Sequence, residues 1–396
     1  MRLVIIGCGD AGLSAAFAAN RQDPEAEITI VSQEDSYYPR CPIPYILNGE
    51  LSEKDLIRDS KDLFSGSGIT TIIGKAEKIE DKKIILIGSE IPFDKAIIAT
   101  GARAKTLPGT LSLRTLKDVN EISKLKKPTI VGGGVLGCEL ADILGGRLVE
   151  KEEDILPGFD PSFSRAVRKT LESKGVLVST GSSDFHEPAI SAIGVAPRTE
   201  LAKSSGIEYN DYGVSVNDSL ETSMKGVYAA GDCISEHCFF TGKKMHSYLG
   251  PQADRQGVIA GTNAAGGNLR YGGSINQTVI RIGDKEIGMS GLSLKQAKNS
   301  DINAFSVNII SSDLPDYYNS AKTIISMTFA DEKLIGLQAM GTKVDGLVNL
   351  ASSMILSELN IDDMITFPYC FSPPVCNAPH PFIICAEKAR NTIKNG

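Results

Sequence analysis

One cysteine stands where thiol chemistry could be coupled to a bound dinucleotide. Cys41 lies in residues 37–45 (YYPRCPIPY, the cysteine segment), 29 positions after the last glycine of residues 7–12 (GCGDAG, the first glycine turn). A turn of this pattern between a strand and a helix can hold a pyrophosphate. Because the thiolate is the reactive form of cysteine, these motifs predict dinucleotide-linked thiol chemistry. The alternative for Cys41 is a small buried hydrophobic residue.

The elements that would position these motifs occur twice. In each copy a strand, a glycine turn, a helix and a second strand follow one another. The first copy is predicted at residues 2–6, 7–12, 13–20 and 27–32, and the second at residues 128–131, 132–137, 138–144 and 147–150. The second turn, GGGVLG, is called the second glycine turn. Two copies in matching contexts predict an α/β fold with two Rossmann-like, three-layer dinucleotide-binding domains.

After these elements the two copies differ. The first continues into a β-meander, predicted at residues 70–73, 76–79 and 83–87. The second passes from a strand at 176–179 through residues 182–187 almost directly into residues 189–194. The second domain is therefore predicted to be shortened, without a meander.

The remainder predicts an α+β domain. Strands are expected at residues 277–282, 323–330 and 334–340, then a helix at 344–358 and a proline-rich tail at 367–381. We predict four segments: the first nucleotide domain in two parts (1–110 and 223–268), the shortened second domain (111–222) and the C-terminal domain (269–396).

Composition narrows the class of protein. The 396 residues carry a formal net charge of −7, which argues against a nucleic-acid partner. No apolar run reaches the roughly 18 residues of a membrane span, and the N-terminus leads directly into a strand, so a cytoplasmic protein without a signal peptide is expected. Its eight cysteines include no CxxC pair and are expected to be thiols. Cys233, His237 and Cys238 lack a well-spaced fourth ligand, so no metal is expected.

Five motifs in order carry a resemblance to a known family. They are the first glycine turn, Cys41 with residues 42–45, residues 99–102 (ATGA), the second glycine turn with Glu139, and residues 230–233 (AGDC). Over nearly its whole length the chain resembles the FAD- and NAD(P)-dependent pyridine nucleotide–disulfide oxidoreductases. It looks most like their single-cysteine branch of NADH oxidases, coenzyme A disulfide reductases and sulfur or polysulfide reductases. The resemblance implies a homodimer formed through the C-terminal domain.

The resemblance assigns roles around FAD. The pyrophosphate would be held by Gly7, Gly9 and Gly12. Asp232 would hold the ribityl side of the flavin, and Thr100 and Gly101 would close the strand beneath it. An acidic ribose ligand is expected about 20 residues after the glycine turn. The second strand ends at Ser32, and Glu34 and Asp35 follow it. Glu34 is favoured as the ribose ligand, and the alternative is that its carboxylate is solvated in a turn.

The second glycine turn would bind the pyridine nucleotide through Gly132, Gly134 and Gly137. Glu150 stands 18 positions after Gly132, where a carboxylate would accept ribose hydroxyls of NADH and repel a 2′-phosphate. Lys151 follows it, so NADH is preferred while NADPH stays open.

The resemblance implies that electrons pass from NADH through FAD to Cys41 and then to a small disulfide, persulfide or polysulfide. Relatives that reduce peroxide or oxygen carry a histidine in the variable pair of the first glycine turn. Asp10 and Ala11 occupy that pair here, which favours a sulfur substrate. Two alternatives stay open: an NADH oxidase that reduces O2 at the flavin, and a flavin-binding redox sensor with little turnover.

Three residues are candidates for contacts with the substrate. The tail carries Phe371 where coenzyme A-dependent relatives have a tyrosine, and Tyr369 could substitute for it if residues 369–371 are strand-like. Arg21, at the end of the first helix, could meet a coenzyme A phosphate or be solvated.

Overall fold

The structure is a computed structural model that describes residues 1–395. The chain forms two compact units. The first comprises Met1–Leu125 and Gly194–Ser274, and the second comprises Lys126–Ile193 and the chain from Ile275 onward. Residues 111–125 and 194–222, which the sequence analysis assigns to the second nucleotide domain, group with the first unit. The four-segment division itself stays a prediction.

A five-stranded parallel sheet forms the centre of the first unit. In spatial order its strands are Val227–Ala229, Lys95–Ile98, Arg2–Ile6, Glu27–Ser32 and Thr70–Ile73. The strand Arg2–Ile6 is buried from its second residue onward, as expected for a strand covered on both faces. The predicted Rossmann-like order of strand, glycine turn, helix and strand is confirmed.

The meander is shifted by one strand from its predicted position. Thr70–Ile73 belongs to the parallel sheet, where it pairs with Glu27–Ser32. The meander strands are instead Ala76–Glu80, Lys83–Leu86 and Ser89–Pro92. The prediction for residues 70–73 was wrong because a short apolar run does not distinguish an edge strand of one sheet from the first strand of the next.

Shorter elements complete the first unit. Its helices besides the two discussed below are the 3-10 helix Ile43–Ile46 and the α-helices Glu53–Leu56, Ser60–Leu63, Leu116–Ile122 and Glu200–Ser204. Its short strands are Ser36–Tyr37, Arg58–Asp59, Ala102–Ala104, Thr110–Ser112, Val195–Pro197, Tyr209–Asn210, Gly213–Val214, Glu236–His237 and Lys244–Met245.

Two helices cross closely above this sheet. They are Asp10–Gln22, which follows the first glycine turn, and Gly250–Ala264. A Cβ at Gly257 would strike the backbone oxygen of Ala11, and one at Gly261 would strike that of Ala15. The absence of side chains at both glycines therefore lets the backbones touch. This contact fixes the start of the helix Gly250–Ala264 beside the first glycine turn.

The second unit contains a smaller parallel sheet. Its strands, in spatial order, are Ala189–Ser191, Thr129–Val131, Arg147–Glu150 and Leu177–Thr180. The helices Val135–Leu144 and Pro161–Ser173 accompany them. Residues 181–188 join the strand Leu177–Thr180 to Ala189–Ser191 without forming a strand. This copy is thus as short as the sequence predicts.

The rest of the second unit is a five-stranded antiparallel sheet with helices. The strands, in spatial order, are Thr278–Ile282, Lys285–Gly291, Lys333–Gly341, Lys322–Ala330 and Phe305–Ser312. The helices are Leu294–Asn299, Val344–Leu356, Ile361–Thr366 and Pro381–Asn395. The α+β class of this part is confirmed. Within residues 1–395, no helix combines the length and apolarity that a bilayer span requires.

Candidate functional site

The first glycine turn depends on glycine for two different reasons. Gly7 has a φ of 111°, and a Cβ there would strike the backbone oxygen of Ala99, while one at Gly12 would strike that of Gly7. At Gly9 a Cβ would meet no protein atom within 4 Å. Gly9 precedes the helix Asp10–Gln22 and makes no side-chain cap, so the first backbone N–H groups of that helix are available to an anion.

A cavity of about 410 Å³ opens at this turn, entirely within the first unit. That volume is in the range of small-molecule sites. Of the predicted cofactor and thiol residues of the first unit, all but Gly12 line this cavity: Gly7, Gly9, Glu34, Cys41, Thr100, Gly101 and Asp232. The sequence motifs thus converge on one surface.

Cys41 is exposed and lies beside the beginning of the helix Gly250–Ala264. A Cβ built on Gly250 would be 3.1 Å from Cys41 Sγ. The helix start has no side-chain cap, and its N–H groups form the positive end of the helix dipole. This environment favours a negatively charged sulfur.

Asp10 approaches the same glycine from the first glycine turn. Its Oδ2 lies 3.6 Å from the Cβ position of Gly250, and its Oδ1 accepts a hydrogen bond of 2.9 Å from the Tyr37 hydroxyl. Burial raises the pKa of Asp10, while the Tyr37 hydrogen bond opposes the shift.

Cys8 is a second thiol of the cavity wall, inside the first glycine turn. Burial raises its pKa to about 11, with a smaller contribution from Glu34. It therefore stays protonated at neutral pH. None of the eight cysteines, all within residues 1–395, is in a disulfide.

Glu34 is anchored by its own neighbours. Its Oε2 accepts a hydrogen bond of 2.9 Å from Arg40 Nη2, and its Oε1 accepts one of 3.1 Å from the Tyr38 hydroxyl. The Arg40 guanidinium also lies over the Tyr38 ring, 4.7 Å from its centroid. A ribose hydroxyl at Glu34 would share oxygens that already hold the cysteine segment in place.

Asp232 is fixed from two sides. Its Oδ2 accepts a hydrogen bond of 2.8 Å from Arg114 Nη2. The preceding Gly231 N–H donates to Gln256 Oε1 at 2.8 Å, and Gln256 in turn donates to the buried Glu236 carboxylate at 3.0 Å. Because these partners set the backbone, Asp232 faces the cavity in a defined position.

Thr100 and Gly101 follow the strand Lys95–Ile98 and reach the cavity floor. Thr100 Oγ1 donates to the Arg198 oxygen at 3.2 Å, and Gly101 has a φ of 67°, where a glycine is favoured. An uncapped helix start, an open face at Gly9 and the Asp232 carboxylate on the cavity wall together suit the pyrophosphate and the ribityl chain of FAD. The residues present therefore fit this cofactor.

The second glycine turn repeats the geometry of the first, within the second unit. Gly132 has a φ of 108°, and a Cβ there would strike the backbone oxygen of Ala192. A Cβ at Gly134 would meet no atom within 4 Å. Glu139 lies half-buried in the helix Val135–Leu144. This turn has the same open face for a phosphate as the first.

Glu150 is tied to the backbone of that turn. Its Oε2 accepts a hydrogen bond of 2.6 Å from the Gly133 N–H, and its Oε1 accepts one of 2.9 Å from the Glu152 N–H. Its side chain is buried, whereas Lys151 is exposed and pairs with Glu152 at 3.5 Å. Glu150 thus holds the second glycine turn in place, in addition to any contact with a nucleotide ribose.

Arg21, the candidate substrate residue of the first unit, does not line the cavity. Arg21 is exposed in the last turn of the helix Asp10–Gln22. In the second unit, Tyr369 stacks on His380 with ring centroids 4.3 Å apart and donates to the Met364 oxygen, while Phe371 is exposed. Residues 369–371 are not a strand, so the shared face expected for them is not formed.

Sequence reasoning missed two parts of the site. No helix was predicted at Gly250, although Pro251 in its first turn is a typical helix-start signal. Arg114 carries no motif, and only the fold brings it to Asp232 across 118 positions of sequence.

Comparison with known proteins places the chain. Residues 1–184 and 188–258 match the family model "Pyridine nucleotide-disulphide oxidoreductase". An "NADH oxidase" of Methanocaldococcus jannaschii is 30% identical over 449 aligned positions that cover 100% of both chains. An "NAD(P)H sulfur oxidoreductase (CoA-dependent)" of Pyrococcus furiosus is 26% identical and covers 98% of each chain.

A solved structure agrees in fold along the whole chain. A NAD-dependent persulfide reductase from A. fulgidus superposes with a TM-score of 0.93 at 26% identity, covering 100% of this chain and 84% of that one. The predicted oxidoreductase class is confirmed, with FAD and a pyridine nucleotide as the cofactors of the class. The glycine turns, the thiol-lined cavity and these likenesses lead to one conclusion: this chain belongs to the pyridine nucleotide–disulphide oxidoreductase family.

Proposed function

We propose that this chain is an FAD-dependent NADH oxidoreductase that reduces a small disulfide, persulfide or polysulfide through Cys41. The observation that carries the proposal is the position of Cys41 Sγ. It lies at the uncapped start of the helix Gly250–Ala264, on the wall of the cavity formed at the first glycine turn. A thiol in that position is accessible, and the positive end of the helix dipole favours its ionised form.

The chain's own residues would bind and orient the cofactor. Gly7, Gly9 and Gly12, with the N–H groups that follow them, would take the FAD pyrophosphate. Asp232 would receive the ribityl hydroxyls, Glu34 the adenosine ribose, and Thr100 with Gly101 would support the flavin from below. The chemistry that FAD supplies when bound is transfer of an electron pair between NADH and sulfur.

The pyridine nucleotide is assigned to the second glycine turn. Gly132, Gly134 and Gly137 would take its pyrophosphate, with Glu139 on the helix behind them. The buried Glu150 carboxylate would oppose the 2′-phosphate of NADPH, so NADH is the proposed donor.

The substrate and the assembly are proposed from relatives. The Pyrococcus furiosus protein is named a CoA-dependent sulfur oxidoreductase, and the A. fulgidus structure is a persulfide reductase. A small sulfur compound, with Arg21, Tyr369 and Phe371 as candidate contacts, fits these names. We also infer a cytoplasmic homodimer built through the C-terminal part.

An NADH oxidase is the second candidate, favoured by the printed name of the Methanocaldococcus jannaschii relative. Its electrons would go to O2 without a need for Cys41. The third candidate, a flavin-binding redox sensor, is motivated by the shortened second domain.

The Cys41→Ser variant separates these functions. We expect the FAD-loaded variant to lose disulfide-dependent NADH consumption and to keep its FAD, because serine cannot form a disulfide. The control is Cys238→Ser, a half-buried thiol outside the cavity wall, which should keep full turnover. Disulfide turnover that survives in Cys41→Ser contradicts the proposal. O2 turnover alone, unaffected by the serine, selects the oxidase.

An anaerobic NADH titration gives an independent measurement. Uptake of two electron pairs, with a long-wavelength thiolate–flavin band after the first, supports Cys41 as a redox centre. Uptake of a single pair with immediate bleaching contradicts it. Failure to bind NADH at all would select the sensor.

A further inference from the structure

A carboxyl group shares the immediate surroundings of the Cys41 thiol. The Cβ position of Gly250 lies 3.1 Å from Cys41 Sγ and 3.6 Å from Asp10 Oδ2. The two atoms are therefore within about 7 Å of each other. A sulfur attached to Cys41 is about 2 Å from Sγ, and its leaving partner is about 2 Å further. When the S–S bond points toward Asp10, the leaving sulfur comes to roughly 3 Å from Oδ2.

Tyr37 determines which oxygen of Asp10 can carry a proton. Its hydroxyl donates to Asp10 Oδ1 at 2.9 Å. Since Oδ1 is an acceptor in that bond, a proton on the carboxyl sits on Oδ2, the oxygen that faces Gly250. The Tyr37–Asp10 pair therefore presents an acidic proton toward the thiol side.

We propose that Asp10 is the acid that protonates the leaving sulfur when Cys41 attacks a disulfide, and that Tyr37 is its positioning residue. This inference rests on the proposed function and adds a proton donor to it. The donor comes from the same unit as the thiol. With Asp10 as the donor, the reaction does not require a tyrosine at position 371, where the phenylalanine of this chain has no acidic hydrogen.

The step balances as thiol–disulfide exchange. The Cys41 thiolate attacks one sulfur of R–S–S–R′, a bond forms between Cys41 Sγ and that sulfur, and the S–S bond breaks. The electron pair of the broken bond stays on the second sulfur, which takes the Asp10 proton and leaves as R′SH. Asp10 becomes a carboxylate and Cys41 a mixed disulfide. NADH, the reductant of the proposed reaction, supplies the two electrons that break the mixed disulfide. Cys41 returns to the thiolate, the second thiol leaves as RSH with the proton released by NADH oxidation, and Asp10 regains its proton from solvent.

The charges around Asp10 set the pH range. Burial raises its pKa most, and the carboxylates of Asp232 and Asp254 add to this. The Tyr37 hydrogen bond and the Arg40 guanidinium lower the pKa and only partly oppose the increase. A raised pKa keeps the proton on Asp10 to higher pH. The rate with an alkyl disulfide should therefore fall on the alkaline side, as Asp10 loses its proton.

The decisive experiment varies the leaving group. The FAD-loaded, reduced protein is mixed under argon with a dialkyl disulfide or an aromatic disulfide, and release of the first thiol is followed. In Asp10→Asn we expect the dialkyl rate to fall about 100-fold, the lower end of general-acid contributions. The aromatic rate should stay within about threefold, because an aromatic thiolate leaves without a proton. Equal losses for both disulfides, or none for either, would overturn the assignment.

Two further variants keep the inference testable. Asp254→Asn removes a neighbouring, exposed carboxylate that does not line the cavity and should leave both rates within about threefold. Tyr37→Phe removes the bond that lowers the Asp10 pKa, so the alkaline fall in the dialkyl rate should move to higher pH. If the alkaline fall in the dialkyl rate occurs at the same pH in Tyr37→Phe as in the wild type, Tyr37 is not a positioning residue.

Failure of this inference is distinguishable from failure of the proposed function. Alkylation of Cys41 by iodoacetamide needs no proton donor for the leaving iodide. It should proceed in Asp10→Asn at a rate close to that of the wild type, because a neutral amide replaces the protonated, neutral carboxyl group of Asp10. If Cys41→Ser still reduces the dialkyl disulfide, the function itself fails. If Cys41→Ser loses the activity while Asp10→Asn behaves like the wild type, the proposed function stands and Asp10 is not its acid.

Discussion

At the scale of single residues, the two glycine turns show how a missing Cβ serves two purposes. Gly7 and Gly12 lack space for a methyl group because backbone oxygens already occupy it. Gly9 and Gly134 have space, since no protein atom lies within 4 Å of the Cβ position. A requirement for glycine at the latter two can only come from something that binds there.

This difference predicts a separable pair of variants. Gly9→Ala should fold like the wild type but weaken FAD binding by at least about tenfold, or about 1.4 kcal/mol, because the methyl enters the space of the pyrophosphate. Gly134→Ala should keep FAD and weaken NADH binding to a similar degree. FAD content by absorbance and NADH affinity by calorimetry check both. If either alanine leaves both affinities unchanged, that turn does not hold a pyrophosphate.

At the scale of elements, the crossing of Asp10–Gln22 and Gly250–Ala264 places the acid, Asp10, beside Gly250, whose Cβ position lies 3.1 Å from Cys41 Sγ. Gly261 lies 11 positions beyond Gly250, about 16 Å along the helix. It touches the backbone of Ala15, so it belongs to the same crossing of the two helices. The helix is supported along its length by backbone contact with its partner.

We therefore expect Gly261→Ala to destabilise the protein by about 1–3 kcal/mol, as overpacking does, because its methyl would strike the Ala15 backbone. The matched control is Gly346→Ala in the helix Val344–Leu356, where no atom lies within 4 Å. That change should stabilise the protein by about 0.5–1 kcal/mol, since alanine is more favourable than glycine inside a helix. Chemical denaturation of the FAD-loaded proteins measures both. Equal effects would mean that the crossing has room to relax.

The sequence predicted the elements with strong local signals. Both glycine turns and their flanking strands appear where the pattern places them, because strand, turn and helix are specified within about 30 residues. The shortened second domain was visible as a missing stretch of alternating residues. The strand Phe305–Ser312 and the helix Pro381–Asn395 were not predicted. Within residues 1–395 the strand pairs with Lys322–Ala330 alone, and the helix follows a proline-rich segment that is typical of a loop.

The site was predicted less completely than the fold. Cys41, Asp232 and Thr100 were found through motifs, and the structure brings all three to one cavity. The contacts of Gly250 with Cys41, of Tyr37 with Asp10, and of Arg114 with Asp232 join residues distant in sequence. Only the packing of buried elements decides such pairs, so single-residue patterns could not reveal them.

At the scale of the whole molecule, assembly is the property to test. In the second unit, Ile310 and Ile324 lie directly opposite each other on neighbouring strands, with exposed fractions of 71% and 40%. Exposed pairs of large apolar residues are typical of surfaces that a partner covers. The proposed homodimer gives this pair a place in an interface.

The variant Ile310→Lys should therefore shift the protein from dimer to monomer, because a charged side chain would have to be buried without a partner. The matched control is Ile87→Lys, which changes an equally exposed isoleucine (75%) in the first unit and should leave the mass unchanged. Sedimentation velocity reports the mass of each. A dimeric Ile310→Lys excludes this face as the interface, and a monomeric wild type excludes the homodimer.

The helix crossing also constrains how the sequence can diverge. Space for a larger residue at one position is usually recovered by a smaller side chain opposite, which makes neighbouring positions change together. Here the atoms that a methyl would strike at Gly257 and Gly261 belong to the backbone of Ala11 and Ala15. No exchange of side chains across the crossing can restore that space. The two glycines should thus persist without covarying partners, and suppressors of Gly261→Ala should arise elsewhere than at Ala15.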